Sequence, residues 1–382
     1  MILCIDASNI RAGGGVTHLA ELLSAADPHA CGFKQVIVWS GTATLAKIED
    51  RNWLKKFYDP LLDCDLPYRI FWQRFKLRKL AVQAGCDVLF VPGGSDLSGF
   101  KPVATLSQNL LPFEWYEMKR YGWSVYTLKF MLLRWTQGNS FRKSDGVIFL
   151  TQYARDAIFK VIGKLRGLSA IIPHGINPRF FRQPRPQRLP VDFNERQPCR
   201  LLYVSIIEMY KHQWQVAEAV AQLRSEGIPV ILEFIGPPAG GISRLKEAIK
   251  RVDPGGAFIT YRGSVPYENL DEFYTSADIG VFASSCENMP NILLEGMAAG
   301  LPMACSKMGP MPEVLGDAGV YFDPENPSSI AAAIRRLIES PGLRRDISQA
   351  GFKLAQQYSW HRCSGETLAF LAQIAQMHLR KS

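Results

Sequence analysis

The chain has 382 residues, of which 47% are hydrophobic and 21% charged, with a formal net charge of +9. This is a globular composition, and the length points to two domains of about 150–200 residues. Eight cysteines without C-x-x-C spacing or zinc-like grouping with His argue against a disulfide framework or a zinc site, and no run approaches the roughly 18 apolar residues of a membrane span. The basic balance favours anionic partners: nucleotide diphosphates, acidic lipid surfaces or nucleic acid. Met1–Ile5 is too short for an export segment and reads as a first strand, so free thiols and a cytoplasmic location are expected.

Short apolar runs alternate with helical patterns along the whole chain, the rhythm of βαβ units and parallel sheets. In the first half, strands are predicted at Ile2–Ile5, Gln35–Trp39, Val88–Val91, Val103–Leu106, Val147–Leu150 and Ala170–Ile172. Directly after the first strand comes Ala12-Gly13-Gly14-Gly15-Val16-Thr17-His18. Glycines here let backbone amides approach a phosphate or sugar ahead of a helix, and a flexible turn accounts for them equally well. The pattern is not G-x-G-x-x-G, so it does not signal a nicotinamide fold.

Trp53–Tyr58 and Tyr68–Leu80 are basic and aromatic. They read as amphipathic core helices with solvated lysines, or as a surface for an anionic membrane. The loop Thr105–Phe113 presents Gln108 and Asn109, whose amides can hold hydroxyls but cannot act as bases at neutral pH. His174 and Gly175 close the last strand of this half.

Asn177–Pro198 carries Pro178, Pro184, Pro186, Pro190 and Pro198 and reads as a linker. Strands are then predicted at Arg200–Val204, Val230–Ile235, Phe258–Tyr261, Ile279–Phe282 and Met303–Cys305. Leu202–Gln213 reads as a strand, a loop and a helix opening, with Ser205 and Lys211 in the loop. After Ser359-Trp360 the chain reads as a helix.

The most informative stretch is Ser285-Cys286-Glu287-Asn288-Met289-Pro290-Asn291, followed by Glu295-Gly296-Met297-Ala298-Ala299-Gly300-Leu301-Pro302. Pro290 suits the first helical position. The amides of Asn291, Ile292 and Leu293 would then leave the helix N-terminus as a seat for an anion. Glu287 precedes that seat and Glu295 lies about one turn beyond it, each able to accept hydroxyls. A diphosphate seat between two hydroxyl acceptors describes a nucleotide-sugar pocket.

This stretch resembles the E-x7-E signature of GT-B glycosyltransferases, in particular the retaining glycosyltransferase family 4. The resemblance continues through Gly-x-Ala-x-Gly-x-Pro at Gly296–Pro302, Pro312-Glu313-Val314, Asp317-Ala318-Gly319 and Asp323-Pro324. It implies an α/β fold of GT-B type, two Rossmann-like doubly wound domains facing across a cleft. The expected layout is an acceptor-binding domain over 1–180, a linker over 181–199 and a donor-binding domain over 200–360. A final helix over 361–382 is expected to pack back on the first domain.

The resemblance also implies roles. Glu295 holds the ribose hydroxyls and Glu287 the donor sugar. Lys211 and the helix start stabilise the leaving diphosphate, which makes Glu287 and Lys211 the catalytic pair. Gly14, Gly15, Ser205, Asn288, Met289, Pro290, Asn291 and Ile292 complete the donor site. Gln108, Asn109 and His174 are candidate acceptor or sugar contacts. Two departures stand out: the family's Arg would fall near Ser205 or Ile206 and is absent, and amides replace its first-domain His.

No metal or other cofactor is expected, since GT-B enzymes use a helix dipole and basic side chains. Asp63-Cys64-Asp65 has the D-x-D form of the other large glycosyltransferase fold, but it lacks that fold's second-domain markers. The expected activity is transfer of a sugar from a nucleotide-diphosphate sugar to a saccharide or lipid-linked saccharide with retention. The setting is bacterial cell-surface polysaccharide or lipopolysaccharide synthesis, with peripheral contact on the inner face of the cell membrane. Alternatives are a nucleotide-sugar epimerase, a phosphorylase, or a non-catalytic nucleotide-sugar-binding partner. A nucleic-acid partner is not expected, because charge alone suggests it.

Overall fold

The computed structural model describes residues 1–380. The chain forms two compact units. The first contains Met1–Trp115, Trp123–Gly175 and the described residues from Ser359 on, and the second contains Tyr116–Gly122 and Ile176–Tyr358.

The first unit is built on seven parallel strands: β1 Ile2–Asp6, β2 Gln35–Trp39, β3 Leu54–Phe57, β4 Val88–Val91, β5 Val103–Leu106, β6 Gly146–Phe149 and β7 Leu168–Ile171. Their order across the sheet is β3-β2-β1-β4-β5-β6-β7. The second unit has six: β8 Cys199–Val204, β9 Val230–Ile235, β10 Ile259–Tyr261, β11 Ile279–Phe282, β12 Met303–Ser306 and β13 Gly319–Phe322, ordered β10-β9-β8-β11-β12-β13.

Central strands such as β4 (VLFV) and β11 (IGVF) are buried at every position. Helices cover both faces of such sheets, so these strands read as unbroken apolar runs. In both sheets the chain order reverses beside the first strand of the unit, between β1 and β4 and between β8 and β11. Ligands of open α/β sheets bind outside the strand carboxyl ends at such a reversal.

The helix Trp360–Leu379 belongs to the first unit, where Phe370 and Ile374 crowd the side-chain-free face of Gly146. A Cβ on Gly146 would come within 2.2 Å of Ile374 Cδ1.

Three expectations differ from what is observed. Trp53–Tyr58 contains a strand, β3, not an amphipathic helix: it pairs with β2 at the sheet edge, Val36 opposite Leu54 and Trp39 opposite Phe57. Its lysines suit an edge, where charge discourages pairing with another chain. The short strand β13, with only Val320 and Phe322 turned inward, carries too little apolar signal to be read from the sequence.

The third difference concerns boundaries. The division falls after Gly175, and the proline-rich stretch lies within the second unit. There the buried Arg344 holds it, donating to Gln187 Oε1 at 3.1 Å and to the Arg188 carbonyl. Prolines remove backbone donors, and this side chain fixes the stretch in place of a ladder.

Candidate functional site

In the second unit, the loops after β8 and β11 are stitched together at the reversal point. Ser285 N–H donates to the Tyr210 carbonyl at 2.8 Å, and Ser285 Oγ lies 2.9 Å from His212 Nε2. Tyr203 on β8 donates its hydroxyl to the Lys211 carbonyl at 2.6 Å. His212 adopts φ 53°, a left-handed turn that ends the loop and starts the helix Gln213–Ser225.

These constraints aim Lys211 at Glu287, and the two side chains form an ion pair that is largely buried, with 6% and 14% of their surfaces exposed. The ammonium also sits over the rings of Tyr210 and Phe282, 5.2 Å from each centroid. Burial makes the pair sensitive to loss of either partner. It does not exhaust Lys211, because an ammonium has three donors, nor Glu287, which has two acceptor oxygens.

The helix after Glu287 runs Asn291–Ala298, with Pro290 as its N-cap, one position earlier than the sequence reading. The Asn291 amide donates to the Met289 carbonyl at 3.0 Å, and the first helical bond is Leu294 N–H to Pro290 at 3.1 Å. Ile292 and Leu293 therefore present the amides at the helix start, and Asn291 does not. Asn288 and Met289 are buried in the turn, and Ser205 is buried after β8 with no partner for its hydroxyl.

Glu295 is 6% exposed and accepts hydroxyl bonds from Tyr274 at 3.0 Å and Tyr267 at 3.2 Å. Burial pushes its carboxyl up to about 7, against the pull of both tyrosines and of Arg179. Arg179 lies over the Tyr267 ring at 4.0 Å. His212 is lowered to about 4, first by burial and then by Arg120. It is therefore a neutral hydrogen-bonding group at the Ser285 corner.

In the first unit, a cavity of about 340 Å³ opens at the reversal between β1 and β4. Its lining includes Asn9, Arg11, Gly15, Arg69, Gln108, Asn109 and Gln137. Gly15 stands in the first turn of the helix Gly14–Ser24, whose N-cap Gly13 takes φ 64°. A Cβ on Gly15 would press to 3.1 Å from Gln108 Oε1, so glycine leaves that side chain its room.

Gly14 belongs to the same turn but is not part of the lining. Neither is His174, which is buried against His18, 4.5 Å between centroids, and Trp360, 5.7 Å. Asp63 of the D-x-D stretch accepts from Thr42 N–H at 2.9 Å and Thr42 Oγ1 at 2.8 Å. Among the described residues no cluster of His, Cys, Asp and Glu is arranged to hold a metal ion.

The structure thus gathers Lys211, Glu287, Ser205 and the Asn288–Ile292 turn in the second unit, with Glu295 in the same helix. It gathers Gly15, Gln108 and Asn109 in the first. Sequence reasoning missed Tyr267, Tyr274, Arg179, His212, Arg11 and Arg69. It also missed Tyr116–Gly122, which packs with the second unit: Tyr121 lies against Met209 and Trp214, and Arg120 pairs with Glu117 and Glu325. The tyrosines and arginines stand far along the chain from the residues they serve, so no local pattern marks them. His212 was legible in one respect, as an aromatic directly after Lys211 at a helix start.

Residues 190–354 match the family of glycosyl transferases group 1. O-antigen chain mannosyltransferase B of Escherichia coli is 35% identical over 111 residues, a match that spans 29% of each chain. Sucrose-phosphate synthase from Thermosynechococcus elongatus has a similar fold, with a TM-score of 0.76 at 17% identity over the whole of both chains. Anabaena HepE in complex with UDP and glucose follows at 0.70 and 16% identity, over 98% of this chain and 100% of that one. The fold is GT-B.

Proposed function

We propose that this chain, whose residues 190–354 match the glycosyl transferases group 1 family, moves a sugar from a nucleotide-diphosphate sugar to a hydroxyl acceptor with retention. The observation that carries the reading is the buried Lys211–Glu287 pair at the reversal of the second sheet, beside a helix start whose first turn bears no acidic residue. That combination suits a diphosphate: the ammonium keeps donors free, and the amides of Ile292 and Leu293 add the positive end of a helix.

In this reading the diphosphate lies against Lys211 and those amides, and Ser205, Asn288, Met289, Pro290 and Asn291 shape its seat. Glu295 takes the ribose hydroxyls, exchanging tyrosine donors for them. The second oxygen of Glu287 takes a donor-sugar hydroxyl. In the first unit's cavity, Gln108 and Asn109 hold sugar or acceptor hydroxyls beside the turn of Gly14 and Gly15. His174 acts by holding its strand end in the core.

The bond between the anomeric carbon and the diphosphate oxygen breaks as the acceptor oxygen bonds on the same face. The acceptor's proton passes to the leaving phosphate oxygen. Lys211 and the helix start stabilise the departing charge, so the reaction proceeds without a metal. The resemblance to O-antigen chain mannosyltransferase B supports a place in cell-surface polysaccharide or lipopolysaccharide synthesis. HepE crystallised with UDP and glucose supports a nucleotide-sugar donor.

A membrane-linked acceptor fits the first unit's surface. The helix Val125–Lys143 exposes Val125, Leu128, Leu132 and Trp135 along one face, with Trp123 fully exposed ahead of it. The helix Leu66–Phe75 exposes Leu66, Ile70, Phe71 and Phe75 beside Arg74, Lys76, Arg78 and Lys79. Apolar faces with basic neighbours suit the inner leaflet of a bilayer, and among the described residues no helix is long and apolar enough to cross one. Co-sedimentation with phosphatidylglycerol vesicles but not with phosphatidylcholine vesicles is the expected result.

The test of activity is a screen of nucleotide sugars against saccharide acceptors in the presence of EDTA, with the anomeric configuration read by NMR. Retained products are expected, and both Lys211→Ala and Glu287→Ala should lower turnover by about 100-fold or more. Near-normal turnover in both variants refutes the site. Epimerised donor formed without acceptor, or a requirement for free phosphate, would replace the reaction with another.

A further inference from the structure

The cavity at the β1–β4 reversal holds two guanidinium groups that the donor chemistry leaves unused. Arg11 donates to the carbonyls of Cys64 at 2.9 Å and Asp63 at 3.1 Å. Arg69 donates to the Ser8 carbonyl at 3.3 Å and to Asn9 Oδ1 at 3.0 Å. All four acceptors are neutral oxygens, and no Asp or Glu lines the cavity.

Burial and the neighbouring Arg11 both push the Arg69 guanidinium below its ordinary range. Asp65, exposed at the start of the same helix, acts in the opposite sense without bonding to it. The other nearby carboxylate, Asp6, is buried, takes Ser8 N–H and Gln73, and is itself pushed toward the neutral form by burial. Two cations thus line a cavity whose wall contributes no carboxylate.

Two of the lining residues each carry a buried polar atom without a protein partner. Arg69 Nε is buried with no acceptor, and Gln137, 7% exposed, has no donor for Oε1. Guanidinium donors and amide oxygens of lining residues are thus not all used up by the fold. Guanidinium groups match the planar or tetrahedral oxyanions of carboxylate and phosphate.

We propose that this cavity binds the oxyanion of an acidic sugar acceptor, a phosphate or a carboxylate, held by Arg11 and Arg69. The role as acceptor rests on the sugar-transfer reading; the binding of the anion does not.

The test is calorimetry on the full chain without nucleotide, at low salt. The probes are inorganic phosphate, inorganic pyrophosphate, and the 6-phosphates, uronates and parent sugars of glucose, mannose and galactose. At least one phosphorylated or carboxylated sugar should bind 10-fold or more tightly than its parent, and the better of the two classes identifies the anion. Competition by inorganic phosphate or pyrophosphate places the anion itself in the site. Arg69→Gln and Arg11→Gln should each erase the preference while leaving nucleoside diphosphate affinity within twofold.

Arg69→Lys, which keeps the charge but loses the fork, should retain part of the preference, and Arg11→Gln carries the test if Arg69→Gln does not fold. Equal binding of acidic and neutral sugars overturns the proposal. So does a preference that survives both substitutions, or a loss of nucleoside diphosphate affinity in them, which would give the arginines to the donor. Failure of the wild type to bind any nucleoside diphosphate would refute the sugar-transfer reading alone.

Discussion

The two sheet reversals carry charge in opposite ways. In the second unit the ionisable groups are matched to partners before any ligand arrives: Lys211 to Glu287, and Glu295 to two tyrosine hydroxyls. In the first unit Arg11 and Arg69 have only neutral partners. A matched pair fixes geometry, and the cost of separating it in a buried place is large. An unmatched cation on a half-open cavity wall contributes little to the fold and keeps its field for a ligand. The second unit is therefore organised for precision and the first for selection of charge.

The largest effects should come from breaking the matched pair. Lys211→Ala or Glu287→Ala alone leaves a buried charge uncompensated and should cost about 3–5 kcal/mol of stability. The double variant Lys211→Met/Glu287→Leu should cost less than the sum of the single changes, as read by denaturant unfolding. Equal and additive losses would show that the pair does not act as a unit.

A smaller and pH-dependent effect belongs to Glu295. Its folded-state pKa is raised from 4.5 to about 7, so the native form binds the proton more tightly than the unfolded chain. The stability carried by the neutral carboxyl is fully present below about pH 4.5 and is lost as pH rises through about 7. Stability should fall across that window in the wild type and stay flatter in Glu295→Gln. The ionised carboxylate accepts hydroxyls more strongly, so nucleotide affinity should rise several-fold from pH 6 to pH 8. That rise should vanish in Glu295→Gln.

The smallest effect sharpens the contrast. Arg11→Gln should change stability by no more than about 0.5 kcal/mol, since Arg11 is exposed and has no ionic partner. A loss comparable to that of Lys211→Ala would show that Arg11 is structural.

Much of this was legible in the sequence, for identifiable reasons. Central strands such as Val88–Val91 and Ile279–Phe282 are buried on both faces, so their apolar runs are unbroken. Glu287, Glu295 and the proline ahead of the helix are close in sequence because one turn and one helix carry them. Two of the edge strands escaped: β3 sets two adjacent lysines between Leu54 and Phe57, a pattern that also suits an amphipathic helix, and β13 turns only Val320 and Phe322 inward. Groups that act from a distance escaped as well. Tyr267 and Tyr274 reach Glu295 from 28 and 21 residues away, and Arg69 reaches Asn9 from 60. Only the folded chain shows that the proline-rich stretch is held by Arg344.

The most direct test of the central claim is calorimetric titration of nucleoside diphosphates into the wild-type chain and into Lys211→Ala. The account predicts saturable binding of at least one nucleoside diphosphate by the wild type, weakened 10-fold or more by the loss of Lys211. Binding that is unchanged in Lys211→Ala would contradict it, as would the absence of binding by every nucleoside diphosphate to a folded wild-type chain.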